Sequence, residues 1–299
     1  RNEAACTAAL EEITNLAAHG GNLLAAAITA ARARATVGEI SDAMEKIFGR
    51  HRAEVKTLAG VYGAAYEGDA GFAMIQKDVE AFAALARLGN TDNALTFIDA
   101  FCARGLPLTQ VYLGLLAPTA RLLGTCWEDD VCDFTEVTIG LRCLHGVCHA
   151  LEPRFAPLAP NGRSGRRILL APAPGEQHGL GLTMVEQFFR RGGWETWIDG
   201  GADRDALLAM VAEKHFSLIG FSLGGETHIE SLASLIRDVR RVSRNANLGI
   251  LVGGPLLLQE PLLVKRLGAD ATARDAEEAV LQAEALLALQ GRGSERLPG

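Results

Sequence analysis

A histidine in a short glycine-containing loop is the residue of this chain best placed to bind a metal. An apolar run at 168–171 ends at two prolines and is followed by the loop 176–181, Glu-Gln-His-Gly-Leu-Gly. A neutral imidazole is a common metal ligand, and a carboxylate on its other ring nitrogen fixes its tautomer and raises its basicity. The pattern therefore predicts His178 as a metal ligand, Glu176 as the carboxylate that orients it, and Gln177 between them.

The loop itself contains two glycines, and further glycines stand where two later apolar runs end. Gly179 and Gly181 carry no Cβ, so a bulky ligand can approach the backbone closely. Strand ends of this kind line the ligand crevice of open α/β sheets. The other predicted site residues are Ser222, Leu223 and Gly224 at the end of the run 218–222, and Gly253 and Gly254 after the run 249–252.

Strand-like and helix-like segments alternate after residue 166. Alternation with short connections is typical of a doubly wound parallel sheet. We therefore predict an α/β, flavodoxin-like domain at 166–290, with strand order 2-1-3-4-5 and the loop of His178 at the switch point. The predicted strands are 168–171, 195–198, 218–222, 249–252 and 269–272, and the predicted helices are 182–191, 203–214, 229–242, 261–267 and 276–289.

The chain before this domain is predicted to be all-helical. Residues 86–157 contain capped helical patterns, one of them at 108–123, which predict a cap bundle of about four helices together with the preceding helix. Thr36 and Glu39 have the spacing of a capping box within a helical N-terminal segment, 1–85. Proline, glycine and serine at 158–165 predict a linker, and 291–299 is predicted to be a tail.

A second group of metal-binding side chains lies within the predicted bundle. His145, Cys148 and His149 share one helical face at spacings of three and four, and Cys143 is close in sequence. These side chains suit zinc or a haem. Zinc sites commonly use two separated ligand pairs, however, and cysteine is among the most buried residue types, so this group ranks below His178.

The loop 176–181 resembles the Asp-x-His-x-x-Gly signature of cobalamin domains that coordinate cobalt through a histidine, with Glu176 at the Asp position. The sequence Gly-Phe-Ser-Leu-Gly at 220–224 is similar to that family's Ser-x-Leu pattern, with Gly224 in place of the Leu. The resemblance implies that cobalamin is the cofactor and that His178 is the lower cobalt ligand. It also implies that Ser222 meets the buried base of the nucleotide tail. Gly253 and Gly254 are then expected to line the tail.

The segment 123–138 resembles the helical cap that covers the upper corrin face in methionine synthase and in cobalamin photoreceptors. The resemblance implies that Trp127, Glu136 and Val137 lie over the corrin. CarH-type light sensors have Glu-His where this chain has Val137 and Thr138. An upper histidine ligand is therefore not expected at that position.

The stretch 173–194 closely resembles the AerR/PpaA regulators of photosynthesis genes in purple bacteria and the tetrapyrrole-sensing domain of AppA. The likeness covers about residues 86–290. It implies a sensor that binds cobalamin, or haem as the alternative, and that responds to light or redox state. Such a photoreceptor acts as an antirepressor by binding a DNA-binding transcriptional repressor protein. We therefore expect a regulator of transcription and not an enzyme.

Residues 22–80 resemble the linker region of the methylmalonyl-CoA mutase large subunit, most clearly at 33–52 and 61–69. The barrel strands that hold the substrate of such a mutase are absent from the sequence. Two alternatives nevertheless stay open beside the sensor. One is a corrinoid methyl carrier of a methyltransferase system, and the other is a cobalamin-binding component of an acyl-CoA mutase.

Composition narrows the expected partners. A net charge of −7 argues against direct nucleic-acid binding, which needs a cationic surface. No apolar run approaches the ~20 residues of a membrane-spanning helix. Six cysteines scattered through the chain are typical of reduced thiols. We therefore expect a cytoplasmic protein with no membrane partner, and a homo-oligomer is compatible with this expectation.

Overall fold

The computed structural model divides into two compact units, Arg1–Val61 and Tyr62–Gly299. It describes residues 1–48, 70–155, 166–176, 179–200 and 203–294. The predicted cobalt ligand His178, its neighbour Gln177 and the predicted linker at 158–165 lie outside these described residues.

The first unit contains three helices: α1 (Glu3–His19), α2 (Leu23–Arg32) and α3 (Val37–Phe48). A capping box starts α3, as predicted. The Glu39 amide donates to the Thr36 hydroxyl, and the Glu39 carboxylate accepts from the Thr36 amide. The helices enclose a small apolar core of their own, formed by Ile13, Ala26, Ala30 and Ala43.

A helical bundle begins the described part of the second unit. Its helices are α4 (Ala70–Arg87), α5 (Thr91–Ala103), α6 (Leu108–Gln110), α7 (Ala117–Glu128) and α8 (Phe134–Leu151), followed by a 3₁₀ turn, Glu152–Phe155. The predicted domain boundary after residue 85 falls inside α4. Val79, Phe82 and Ala86 of this helix are buried in the bundle core, so α4 belongs to the bundle.

A π-helical turn, Val111–Leu116, joins α6 to α7. The prediction of one regular helix over 108–123 is wrong at this turn. Pro118 has no amide hydrogen, and its ring would clash with the carbonyl four residues earlier, that of Gly114. The wider π-helical turn removes the need for this hydrogen bond.

The rest of the second unit is a parallel five-stranded sheet with order β2-β1-β3-β4-β5. The predicted fold and strand order are therefore confirmed. The strands are β1 (Arg167–Pro172), β2 (Glu195–Ile198), β3 (Leu218–Ser222), β4 (Gly249–Gly253) and β5 (Ala271–Ala273).

Helices accompany the strands along the chain. They are α9 (Leu180–Arg191), α10 (Arg204–Glu213), α11 (Ile229–Val242), α12 (Pro255–Gln259), α13 (Leu263–Leu267) and α14 (Ala276–Ser294). The last helix runs past residue 291, where a tail was predicted. Glycine costs only about 1 kcal/mol in a helix interior, and Gly291 and Gly293 do not end α14.

The bundle and the α/β domain share one apolar core. Leu180, Met184 and Phe188 form a stripe on α9 that is buried together with bundle residues. The rings of Tyr112 and Phe155 lie 5.8 and 5.0 Å from that of Phe188. An ion pair between Arg190 on α9 and Glu152 adds a polar contact at this junction. The two parts are therefore packed together and not merely linked.

Within the described ranges, none of the helices combines the length and apolar character that a membrane span requires.

Candidate functional site

The carboxyl ends of β1, β3 and β4 lie side by side. Pro172 pairs with Ser222, and Ser222 pairs with Gly253. The pairing continues one residue further, since the Ala173 amide donates to the Ser222 carbonyl and the Leu223 amide to the Gly253 carbonyl, both at 2.8 Å. Three of the predicted strand ends therefore meet at one edge of the sheet, where α/β sheets bind ligands.

Glu176 is held at this edge by the loop after β3. Gly175 adopts φ +88°, a left-handed conformation that turns the chain after β1. The Glu176 amide then donates to the Ala173 carbonyl at 2.9 Å. Through Oε2, the Glu176 carboxylate accepts a hydrogen bond from the Gly224 amide at 2.9 Å. The carboxylate predicted to orient His178 is therefore fixed against β3.

Glu176 and Gly224 are matched in shape. A Cβ built at Gly224 lies 2.2 Å from Oε2 of Glu176 and 3.0 Å from its Cδ. Side-chain atoms never approach this closely, so the carboxylate fits only because position 224 has no side chain. The cobalamin-domain pattern has Asp where this chain has Glu176, and Leu where it has Gly224. The Glu176 carboxylate therefore lies in the space that a side chain at position 224 would need.

Ser222 contributes a hydroxyl that the described chain does not use. Its Oγ is buried and has no hydrogen-bond partner. A buried hydroxyl left unpaired costs on the order of 1–3 kcal/mol. A ligand group that bonded to Ser222 would recover this free energy, which is the role predicted for this serine.

Thr272 is a second such residue, and the sequence analysis assigned it no role. Its Oγ1 is also buried without a partner, and it pairs with Val252 on the neighbouring strand. The available signal was a hydroxyl residue at the end of a short predicted strand. That signal is weak, because threonine is common in strands for its shape alone.

The two glycines at the end of β4, Gly253 and Gly254, have different structural roles. A Cβ built at Gly253 meets nothing within 4 Å, so this position faces open space. Gly254 has φ +134°, and a Cβ there would lie 2.1 Å from the Leu223 carbonyl oxygen. Gly254 therefore allows the β3 and β4 loops to pack, whereas Gly253 leaves room for a ligand.

Gly179 and Gly181 stand at the start of α9 in open space. No heavy atom lies within 4 Å of a Cβ built at either position. The Gly179 carbonyl accepts hydrogen bonds from the amide and the hydroxyl of Thr183. Packing within the described chain does not demand these glycines, which leaves the predicted close approach of a ligand as a reason for them.

The predicted cap residues lie at the junction of α7 and α8. Trp127 is 54% exposed near the end of α7, and Val137 is half-buried in the first turn of α8. Glu136 is engaged in a capping box, in which its carboxylate accepts from the Asp133 amide. It also lies 3.6 Å from the Arg87 guanidinium. The Trp127 ring is thus available to cover a ligand, while the Glu136 carboxylate caps its own helix.

The second predicted metal group is not assembled. Cys143 and Cys148 are buried, and burial raises the pKa of the Cys148 thiol to about 12 and also raises that of Cys143. A metal binds the thiolate form. Burial lowers the pKa of His145, while the side chain of His149 is exposed. Among the residues described, no three His, Cys, Asp or Glu side chains are grouped to hold a metal ion.

Comparison with protein-family models indicates which ligand this edge of the sheet binds. Residues 166–283 match the B12 binding domain, and residues 1–50 match methylmalonyl-CoA mutase. The first match contains all five strands and every loop of the candidate site. The whole sheet is therefore similar to the B12 binding domain. Cobalamin, the predicted cofactor, is therefore the ligand of this domain.

Two curated relatives agree with the resemblances found in the sequence. An uncharacterized 20.5 kDa protein from the bchF-crtJ intergenic region of Rhodobacter capsulatus is 27% identical over 177 residues, which are 59% of this chain and 92% of that protein. Methylmalonyl-CoA mutase of Cereibacter sphaeroides is 77% identical over 83 residues, 28% of this chain. The matched stretch is only 12% of the mutase, so this chain corresponds to a small part of that enzyme.

A solved structure shares the fold. The monomethylamine corrinoid protein of Methanosarcina barkeri superposes with a TM-score of 0.59 at 17% identity, over 70% of this chain and 99% of that protein. At this identity the likeness supports the architecture alone.

The residues of the B12-binding domain fit cobalamin on structural grounds. Ser222 offers an unpaired buried hydroxyl at the end of β3, and Gly253, its partner on β4, leaves open space. Glu176 is fixed at the start of the loop that carries His178. The roles of these individual residues, and of Gln177 and His178, stay predictions.

Proposed function

We propose that the chain is a cytoplasmic, cobalamin-dependent regulator of transcription. In this proposal, light or a redox change alters the upper ligand of the cobalt, and the bundle repacks in response. The altered surface then changes the affinity for a DNA-binding repressor of photosynthesis genes. The chain acts as an antirepressor, makes no direct contact with nucleic acid, and is not itself an enzyme.

One observation carries this proposal: the match to the Rhodobacter capsulatus protein of the bchF-crtJ intergenic region. It covers 92% of that protein over 177 residues, which is longer than the B12-binding domain alone. The mutase match, by contrast, covers 12% of the mutase. The resemblance to the AerR/PpaA regulators points in the same direction.

The residues at the sheet edge are proposed to hold the cofactor. His178 coordinates the cobalt from below, and Glu176 holds its imidazole while anchored to Gly224. Ser222 binds a polar atom of the nucleotide tail, and Gly253 gives that tail room. When bound, cobalamin supplies a cobalt centre whose upper ligand can be exchanged or released by light.

The bundle residues are proposed to transmit the change. Trp127 covers the upper face and excludes water, with Val137 beside it, and Glu136 keeps the start of α8 in place. The core shared between α9 and the bundle supports this role, because a shift of the bundle must also disturb the packing around Phe188. A bistable packing of this kind is what converts a local event into a changed surface.

An absorption experiment tests the cobalamin part of the proposal. The wild-type chain loaded with cobalamin is expected to show the spectrum of a histidine-ligated, base-off form, which changes on illumination. His178→Ala is expected to lose that spectrum, and the exposed His215 changed to Ala is the matched control. A His178→Ala spectrum identical to the wild type would refute the axial assignment.

A partner experiment tests the regulatory part. A purified repressor is bound to its operator DNA, and the release of DNA by the cobalamin-loaded chain is followed by mobility shift in darkness and after illumination. The proposal expects release of the repressor in one state and at least a several-fold weaker effect in the other. Equal effects in both states, or binding of the chain to DNA without the repressor, would contradict it.

A cobalamin-binding component of an acyl-CoA mutase is the second candidate. The 77% identity to the Cereibacter sphaeroides mutase over 83 residues favours it. This candidate requires adenosylcobalamin and a separate barrel chain that restores mutase activity when mixed with this one. A corrinoid methyl carrier would instead exchange a methyl group with a methyltransferase, which methylcobalamin-loaded protein would reveal.

A further inference from the structure

Two free cysteines flank the turn between α7 and α8. The amides of Val131 and Cys132 both donate to the Cys126 carbonyl, at 2.7 and 3.1 Å. With standard bond lengths, the second hydrogen bond limits the distance between the Cα atoms of Cys126 and Cys132 to at most about 7 Å. Disulfides form at Cα separations of about 4.4–6.8 Å, so the backbone brings the pair within bonding range.

The two side chains differ in accessibility. The Cys132 sulfur lies 4.0 Å from the Leu123 carbonyl oxygen. Cys126 is half-buried, whereas Cys132 is 6% exposed. An oxidant can therefore reach Cys126 first, and Cys132 is placed behind it.

A cation lies close to the buried member of the pair. Burial raises the pKa of the Cys132 thiol, and the positive charge of Arg87 acts against this rise. Nε of Arg87 is buried and has no hydrogen-bond partner among the described residues. The Glu136 carboxylate, 3.6 Å from this guanidinium, acts in the opposite direction, so Arg87 offsets only part of the rise.

We propose that Cys126 and Cys132 form a reversible intramolecular disulfide by exchange with a low-molecular-weight disulfide such as oxidised glutathione. The Cys126 thiolate attacks one glutathione sulfur, which forms a mixed disulfide and releases one glutathione thiolate. The Cys132 thiolate then attacks the Cys126 sulfur and releases the second glutathione. The protein loses two protons and two electrons, which reduce one glutathione disulfide to two thiols.

The disulfide acts on the turn that carries Trp127. Trp127 lies within the loop that the bond closes, directly after Cys126, and its side chain is exposed. The bond would restrict the backbone that carries this ring. A redox signal would thereby reach the residue proposed to cover the cobalamin, and only this last consequence rests on the proposed function.

Mass spectrometry of the full chain without cobalamin tests the bond. The protein is equilibrated with glutathione buffers of increasing oxidised fraction and the remaining thiols are alkylated. We expect the wild type to lose the mass of two hydrogens, to regain it with dithiothreitol, and to yield a peptide that links Cys126 to Cys132. Absence of this linked peptide at every buffer ratio overturns the proposal.

Serine variants locate the reaction. Cys126→Ser and Cys132→Ser are each expected to abolish the loss of two hydrogens, while Cys102→Ser, a half-buried cysteine elsewhere in the bundle, retains it. A loss that persists in Cys126→Ser, or a bond mapped to another pair, counts against the assignment.

Tryptophan emission reports the movement of the turn. The difference in emission between the oxidised and reduced wild-type chains is expected to disappear in Trp127→Phe, although the disulfide still forms there. Identical emission of the two wild-type forms would overturn the proposed effect on Trp127. Since cobalamin is absent throughout, these results do not depend on the regulatory function.

Discussion

The hydroxyls of Ser222 and Thr272 are unusual because the described protein makes no use of them. Each is buried and lacks a hydrogen-bond partner among the described residues, although most buried polar groups in folded proteins are paired. Ser222 ends β3 beside the open space at Gly253, whereas Thr272 is in the middle of β5. A bound ligand is the simplest physical reason for the hydroxyl of Ser222.

Ser222→Ala should therefore separate binding from folding. We expect the free energy of unfolding of the ligand-free chain to rise by up to about 1–3 kcal/mol, because the variant no longer buries an unpaired hydroxyl. Cobalamin binding should weaken by about 1 kcal/mol, or roughly fivefold. A corrinoid that lacks the nucleotide tail should bind as before. Titration followed by absorbance measures both affinities, and an equal loss for both ligands would contradict a contact with the tail.

Glu176 and Gly224 form a pair that must be changed together. Gly224→Ala places a methyl group where the Glu176 carboxylate lies, so the carboxylate must swing away and lose its bond to the amide. We expect less histidine-ligated cobalamin in this variant. Glu176→Asp in the same chain should restore part of the loss, with a coupling of about 1 kcal/mol. Additive effects in the spectra of the single and double variants would exclude this coupling.

Residue types alone could predict part of this site. The sequence indicated Glu176, Ser222 and Gly253, because each stands where a strand-like run ends. It did not indicate that Glu176 compensates for Gly224, since 48 residues separate them and only the distance between two loops reveals their contact. It also gave Gly254 the role of Gly253, because a positive φ is a property of the folded loop.

At the scale of helices and strands, the junction between the bundle and the α/β domain depends on α9. Two adjacent phenylalanines of this helix face different cores. Phe188 is buried with Tyr112 and Phe155 of the bundle, whereas Phe189 packs edge-on against Trp194 on the sheet side, with ring centroids 5.3 Å apart. The helix α9 therefore lies between two hydrophobic cores and contributes one phenylalanine to each.

Phe188→Ala should uncouple the two parts. Removing a buried phenylalanine costs about 3–5 kcal/mol, and here the loss falls on the shared core. We expect wild-type unfolding in urea to be one transition by tryptophan emission, which reports on the second unit alone because all three tryptophans lie there, and the variant to unfold in two. Phe189→Ala should lower the midpoint but keep one transition, since it leaves the bundle contact intact. Two transitions in the wild type, or one in Phe188→Ala, would argue against a shared core.

The strands were predictable because short apolar runs between prolines and glycines have few alternatives. The sequence also contains the apolar stripe of α9, in which Leu180, Met184 and Phe188 recur every four residues. It does not show that this stripe packs against the bundle, because periodicity alone does not identify the packing partner. The π-helical turn before α7 escaped prediction for a related reason. Pro118 shows that one helical hydrogen bond is missing. The helix can accommodate this loss by a kink, by ending or by a π-helical turn, and the sequence does not distinguish these outcomes.

At the scale of the whole molecule, one chain contains two regions that match different protein families. Residues 1–50 match methylmalonyl-CoA mutase, and residues 166–283 match the B12 binding domain. The alternation of strands and helices predicted the second region, because only a parallel sheet accommodates it with short connections. The function of the first region does not follow from its fold, since three helices around a small core are compatible with many roles.

A chain that begins at residue 70 should bind cobalamin as the full chain does. The three N-terminal helices have a core of their own, while the bundle and the B12-binding domain share theirs. The residues of the candidate site all lie in the second unit, after residue 69. We expect the dissociation constant for cobalamin to change less than about twofold, which corresponds to roughly 0.4 kcal/mol, and the helical signal to fall only by the share of the missing helices. Absorbance titration and circular dichroism measure these quantities. Retained helicity with a tenfold weaker affinity would instead assign the mutase-like segment a part in cofactor binding.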